Sequence, residues 1–297
     1  MERYQKLGST FRLLRKNRHI SLKQVATDEV SVSQLSRFER GESALSVEKF
    51  FIALENINVE MKEFMDTWNN YQKTEQIRFM SSLIDLEYKR DIQGFRQLLV
   101  SEQEKFKEQS SNYRHYLNII LLQGFICKCD SSIPFPKKYV EEISDYLFST
   151  EQWEIYEIIL IGNLYLFIDV PLLHKMGQEI INRRDFYQEI GTHNDLVIMT
   201  LLNIWESCLH RDSIVIARYY QAEIEKLLHN ETKVYERTIY LFLLGLQEYK
   251  EKYALSGIEK MNQAIQIFKW LGCTNLANNY TNDLKNAYIN FCRFAIF

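Results

Sequence analysis

Apolar positions recur at helical spacing from the start of the chain. Leu7, Phe11 and Leu14 predict a helix over roughly 5–17, whose other face carries Arg12, Arg15, Lys16 and Arg18. Ser21 is placed to cap a short second helix with Leu22, Val25 and Ala26 inward. Thr27 to Val30 form a turn. Ser31 or Ser33 then caps a third helix containing Gln34 to Arg40, and Gly41, free to take positive φ, stops it. Ser46 opens a fourth helix with Val47, Phe50, Phe51 and Leu54 as its inner face. Asn58 opens a fifth with Met61, Phe64, Met65 and Trp68 inside.

From about residue 74 the segments lengthen. Amphipathic stretches predict helices near 74–89, 91–108, 111–129, 136–148, 151–168, 170–186, 193–209, 212–229, 232–250, 254–271 and 274–292. Breaks fall at Asp130–Pro134, Asp169–Pro171, Gly191 and Asn230, and Pro136 and Pro171 suit first-turn positions. Helix pairs recur about every 40 residues, a period typical of an α-solenoid whose hairpins bury their apolar stripes against neighbours. The fold expected is all-α, a five-helix head followed by an α-solenoid. Its limits are 1–70 for the head, 71–76 for a linker, 77–273 for the repeats and 274–297 for a terminal helix. That last helix has an asparagine stripe and an apolar stripe (Leu276, Tyr280, Leu284, Tyr288, Phe291), which assigns it to capping and to contact with a second subunit.

Composition agrees. Hydrophobic residues make up 46% and charged residues 25%, a globular balance, and with 3 prolines and 10 glycines there is little room for a many-turned β-sandwich. Apolar runs such as Ile158–Ile161 stop far short of the ~20 residues of a membrane helix. The first residues lack an apolar leader, and the 5 cysteines are irregularly spaced. A cytoplasmic protein with reduced thiols is expected. The net charge of −3 argues against a nucleic-acid partner until it is divided: residues 1–40 hold nine Lys/Arg against four Asp/Glu, a net of +5, and the remainder carries −8. Only the head is suited to phosphate.

The head also carries a motif. Ser36-Arg37-Phe38-Glu39-Arg40-Gly41 resembles the S-[RK]-x-E-x-G signature of the Xre/Cro-like helix-turn-helix repressors, and Ser21 to Ala26 resembles their second helix, with Lys23 where glutamine is usual. In such a domain the third helix enters the major groove by its N-terminal end. Val32, Ser33, Gln34 and Arg37 would face base edges, with glutamine suited to adenine, arginine to guanine and valine to a thymine methyl. Ser36 lies on the same helix. Arg12, Arg15 and Arg40 would sit over phosphates and set register. Glu39 is expected to bond within the bundle. No metal, cofactor or catalytic constellation is expected: Cys127-x-Cys129 lacks a second ligand pair, and the chain has neither a phosphate-cradling glycine loop nor a nucleophile elbow.

A solenoid offers an extended groove. Candidate lining residues are Arg114, Asn118, Tyr156, Asn163, Asn203, Glu206, Tyr235, Thr238, Asn278 and Asn282, the asparagines because each amide both donates to and accepts from a peptide backbone. Ala254 to Phe268 looks like the second helix of a tetratricopeptide (TPR) repeat. A head of this kind on about 220 residues of TPR-like repeats, opening with Met1-Glu2-Arg3-Tyr4 and Leu7 to Lys16, resembles the Rgg/GadR/MutR regulators of Gram-positive bacteria. The resemblance implies a homodimeric cytoplasmic transcription regulator. Its partners would be a double-stranded DNA operator, a short hydrophobic signalling peptide in the concave face, and RNA polymerase. Some members carry an intersubunit disulfide from a cysteine in the head, where this chain has none. Two other functions stay open: a dimeric repressor without a ligand, and a helical-repeat scaffold for other proteins.

Overall fold

The computed structural model of the chain describes the backbone of residues 2–183 and 191–294 and, within these, the side chains of 5–183 and 194–287. The expectations for Tyr288 and Phe291 lie outside the described side chains. Every regular element among the described residues is a helix, sixteen in all. The chain divides into two compact units, Met1–Asp85 and Leu86–Phe297.

The first unit opens with α1 (Glu2–Asn17), α2 (Leu22–Val25), α3 (Val32–Glu39), α4 (Val47–Glu55) and α5 (Met61–Trp68). Both helices of the turn motif start in the same way. Ser21 caps α2 in a reciprocal box with Gln24, and Ser31 caps α3 in a box with Gln34. Each box satisfies backbone N–H groups that would otherwise lack partners. Between them Thr27 Oγ1 accepts from the N–H groups of Glu29 and Val30, which closes the turn over the buried Val30. Phe11, Val25, Leu35, Phe38, Leu54, Ile57 and Phe64 form the core. A run of ring contacts, Phe11–Phe38–Phe50–Phe64, links α1, α3, α4 and α5 at centroid distances of 5.8, 5.8 and 4.9 Å. Gly41 has φ of +71° and ends α3, with the Glu42 N–H reaching back to the Arg37 carbonyl at 2.9 Å. Gly8 permits the close approach of α1 to the end of α3, since a Cβ there would lie 1.9 Å from the Phe38 oxygen.

Three details differ from expectation. Val47 is 71% and Phe51 46% exposed. The buried stripe of α4 runs through Ala53 and Leu54 and on to Ile57, so Val47 and Phe51, one turn apart, share an outer edge. Met65 is exposed as well. Asn58 does not open α5: it takes φ of +50° just past α4, where the Val59 N–H returns to the Leu54 carbonyl at 3.0 Å, and α5 starts after Glu60.

The unit boundary falls within α6 (Glu75–Lys89). There follow α7 (Ile92–Glu108), α8 (Tyr113–Cys129), α9 (Lys137–Ser149), α10 (Ile155–Leu164), α11 (Val170–Asn182), α12 (Gly191–His210), α13 (Ile214–Glu225), α14 (Val234–Lys252), α15 (Leu255–Trp270) and α16 (Thr274–Phe294). Among the described residues all eleven segments expected from the sequence contain a helix, the one at 170–186 being followed as far as Asn182. The one at 151–168 is shortened at both ends; at its start Trp153 is buried as a plug with Nε1 donating to the Leu147 carbonyl, and the Glu154–Glu157 box opens the helix after it.

The 40-residue period has a physical counterpart in a ladder of polar contacts between alternate helices. Lys128 pairs with Glu87, Tyr156 bonds Asn118, Asn203 bonds the Gly162 carbonyl, Tyr165 bonds Glu206, Trp205 bonds Gln247 and Lys250 pairs with Asp212. These contacts join residues 38 to 42 positions apart. Each even-numbered helix from α6 to α14 is thereby tied to the next. Within a hairpin the packing is tighter still: α14 meets α15 at Gly245 and Gly257, where a Cβ on either would lie 2.5 Å from the other's carbonyl oxygen.

Candidate nucleic-acid interface and sensor surface

The exposed face of α3 holds Val32, Ser33, Gln34 and Arg37, with Ser36 half-buried. Val32 is 43% exposed despite its apolar side chain, as a contact for a thymine methyl requires. Gln34 is not a free reader. Its Oε1 accepts from the Ser31 N–H at 3.1 Å, which leaves the amide donors for DNA unless the cap opens. Arg37, Lys16 and Lys23 are exposed and carry no ion pair among the described residues. Lys23 sits at the start of α2, two residues after the cap serine; the sequence marks it as a departure from the motif and as part of the basic head, not as a DNA contact. Arg12 is half-exposed, 3.9 Å from Glu39.

Arg15 must be corrected. It is 7% exposed, its Nε and Nη2 fork onto the two oxygens of Glu39 at 2.6 and 2.8 Å, and Nη1 donates to the Ile20 carbonyl at 2.6 Å. Each of its three nitrogens donates inside the head, so the buried Arg15 fixes α1 against α3 and is not presented to a phosphate. Glu39, expected to bond internally, is its partner. Arg40 remains exposed but is shared: it forks onto Glu42 at 2.6 and 2.8 Å and donates to Ser36 Oγ. That hydrogen bond holds the Glu42 carboxyl below its usual range.

In the second unit the proposed groove residues separate into two groups. Asn118, Tyr156 and Thr238 are buried, and the sequence reading of them as groove lining is corrected. Asn118 donates to Glu102 at 2.9 Å and accepts from the Tyr156 hydroxyl at 2.8 Å, while Thr238 donates to the Val234 carbonyl. Glu102, only 2% exposed, also receives Lys105 and His115, each at 2.8 Å. Burial opposes its charge, yet these donors hold its carboxyl below the usual range. The polar face of α8 thus closes a network with α7 and α10. Arg114 is exposed, its guanidinium 5.0 Å from the Tyr156 ring centre. Asn163 and Asn203 are half-buried, with their amide donors on the Ile159 and Gly162 carbonyls. Tyr235, Asn278 and Asn282 are exposed.

Glu206 belongs to a cluster that the sequence reading did not assemble. Its carboxylate accepts from the Tyr165 hydroxyl at 3.0 Å and lies 3.9 Å from His210 Nε2. Asp283 and Tyr280 on α16 lie within electrostatic reach of the same carboxylate. The Tyr280 ring stacks on Phe268 at 5.5 Å, and Tyr235 approaches Phe268 at 6.2 Å. Helices α10, α12, α14, α15 and α16 contribute together. The recoverable signals were Glu206 with His210 at i, i+4 and Tyr280 with Asp283 at i, i+3, spacings that share a helix face.

A capped helix-turn-helix with an exposed basic second element, on a body of stacked helical hairpins, defines a helix-turn-helix transcription regulator with a repeat domain. A family described as HTH-type transcriptional regulator Rgg, C-terminal domain, matches residues 97–282, and a helix-turn-helix family matches residues 11–64. The chain belongs to the Rgg family of transcriptional regulators, not to a family of enzymes. Among solved structures, it is similar to the SHP pheromone receptor Rgg2 of Streptococcus dysgalactiae, with 27% identity over 94% of this chain and 99% of that one and a TM-score of 0.76. It shares its fold with ComR from S. thermophilus, solved with DNA and its signalling peptide ComS, at 14% identity, 95% and 99% coverage and a TM-score of 0.59. The fold is shared too with PrgX in complex with cCF10, at 13% identity, 94% and 99% coverage and a TM-score of 0.68. Among the described residues no helix is long and apolar enough to cross a membrane.

Proposed function

We propose that the chain is a quorum-sensing regulator: the head reads an operator through α3, and the repeats bind a short hydrophobic peptide that shifts DNA affinity or activation. The observation that carries the reading is the division of labour. The chain joins a basic head, with Arg37 and Val32 free and Ser33 exposed on α3, to a family-matched repeat body whose even-numbered helices bring Glu206, Tyr235 and Tyr280 to one cluster. Base readout falls to Val32, Ser33, Arg37 and the Gln34 amide, and phosphate contact to Arg12, Lys16, Lys23 and Arg40. Arg114, Asn163, Asn203, Glu206, Tyr235, Asn278 and Asn282 are the groove candidates whose side chains remain accessible. A two-fold dimer of such heads would fit a near-palindromic operator with half-sites about 34 Å apart, one helical turn. The terminal helix is the segment we assign to that dimer, with RNA polymerase as a further partner and the cytoplasm as the compartment.

The test begins with DNA recovered bound to the protein and sequenced. Purified chain is then titrated on those sites at fixed salt, since phosphate contacts make affinity fall steeply with ionic strength. A shared two-fold motif supports the reading. Binding that is uniform over all DNA, or unchanged by Arg37→Ala, contradicts it.

A further inference from the structure

The head divides by charge as the whole chain does. Residues 1–40 carry a net of +5, whereas 41–70 hold two lysines, Lys49 and Lys62, against six acidic residues, a net of −4. Two of those acids are paired with the basic part, Glu42 with Arg40 and Glu63 with Arg18. Glu48, Glu55 and Glu60 are exposed and form no ion pair among the described residues. Such a surface repels a phosphate backbone.

Apolar side chains lie open on the same part of the head. Val47, Phe51 and Glu55 follow one another at helical spacing along α4, with Val47 71% and Phe51 46% exposed. Where α4 turns into α5 there is a groove of about 620 Å³. The buried Leu54 and Val59 line it together with Phe51 and Met61, and the exposed Glu55 and Glu60 complete it. An open apolar surface edged by charge is the mark of a protein-binding site. The N–H groups of Asn58 and Val59 at the turn are already spent on the Glu55 and Leu54 carbonyls. The groove therefore offers side chains rather than a strand edge, which suits an amphipathic helix whose apolar anchors enter it.

Charge decides between two occupants. A second head placed across a two-fold axis would bring Glu55 and Glu60 up against the same carboxylates of its copy. A helix that is itself basic gains from them. The protein that shares a regulator's DNA has such helices, because a promoter-binding subunit must neutralise phosphates.

We propose that the α4–α5 groove is the head's docking surface for RNA polymerase, and that it receives a basic, apolar-faced helix of the promoter-binding subunit. The proposal rests on the DNA-reading assignment above and deepens it, by naming the face through which an operator-bound head reaches the transcription machinery. Phe51, Leu54, Val59 and Met61 take the apolar anchors, and Glu55 and Glu60 take the cations.

The experiment is a fluorescence titration of the full-length chain on a labelled DNA fragment carrying its operator and promoter, with and without RNA polymerase holoenzyme of the same organism. Expected is a mutual tightening of about tenfold that falls as salt is raised. Phe51→Ala and Glu55→Lys should each bring that factor close to one. Operator affinity without polymerase, the unfolding midpoint and the sedimentation coefficient should stay at their wild-type values. Glu55→Asp, which keeps the charge, should retain most of the coupling. The proposal is overturned if the wild-type chain and the holoenzyme bind the fragment independently, or if the coupling survives both substitutions. It is overturned as well if the variants lose mass in sedimentation, which would give the groove to a second copy of the chain. If the wild-type chain binds no operator at all, the DNA-reading assignment falls and the docking surface with it.

Discussion

Each unit of this molecule ties its helices together with a buried carboxylate, and the two do so differently. In the head, Glu39 is forked by the permanently charged Arg15, with Arg12 at 3.9 Å on its exposed side, and the pair leaves the outer face of α3 free. In the body, Glu102 collects Lys105, His115 and Asn118, and through Asn118 it reaches Tyr156 on the next repeat. The head uses one strong link to hold a rigid shape for an external partner. The body spends its polar residues on links between successive repeats, which is how a solenoid without long-range contacts passes order along its length.

The comparison breaks most readily at Glu39. Glu39→Ala leaves Arg15 charged and buried, and should cost about 3–5 kcal/mol, seen as loss of the head's transition in denaturant unfolding. Replacing both partners with apolar residues should restore most of that; if the single and double variants are equally destabilised, the pair is not the link described. In the body, Gly245→Ala drives a methyl against the Gly257 carbonyl and should cost about 1–3 kcal/mol, with the head's transition unmoved.

Arg37→Ala sharpens the contrast from the other side. It should lose about 1–3 kcal/mol of operator affinity, concentrated at one base position, with the unfolding midpoint unchanged. Glu102 predicts a pH dependence confined to the body. Its folded pKa is depressed, so its stabilising effect is present above the usual carboxylate range and is lost as the pH falls through the lower, folded value. Glu102→Gln should flatten thermal stability across that acid window and cost on the order of 1–2 kcal/mol at neutral pH. An equally steep acid loss in the variant would assign the effect elsewhere. The smallest effect belongs to Lys23→Ala, which should leave sequence preference intact and reduce the salt slope of DNA binding by about one.

Helix placement was legible in the sequence because apolar periodicity and capping residues are local: Ser21, Ser31 and Gly41 act within four residues of themselves. The exposed reading face of α3 was legible for the same reason. Arg15 was misread because periodicity places it beside Arg12 and Lys16 on a basic stripe, and only the approach of Glu39 from a helix 24 residues away turns it inward. The solenoid posed a harder problem. Helices such as α8 and α10 are packed on more than one side, so Asn118 and Tyr156 on their polar stripe look like groove lining yet are buried by the next repeat. The Glu206 cluster drew on five helices, which no single stripe reveals.

The central claim is that events in the body alter what the head does. It is tested most directly by titrating the full-length chain on its own operator at fixed salt, with and without the short hydrophobic peptides encoded beside its target genes. The account predicts that one such peptide binds the repeats and changes operator affinity or the transcription that follows. Tight operator binding, with neither affinity nor transcription altered by any of these peptides, would make the repeats a scaffold and contradict the account.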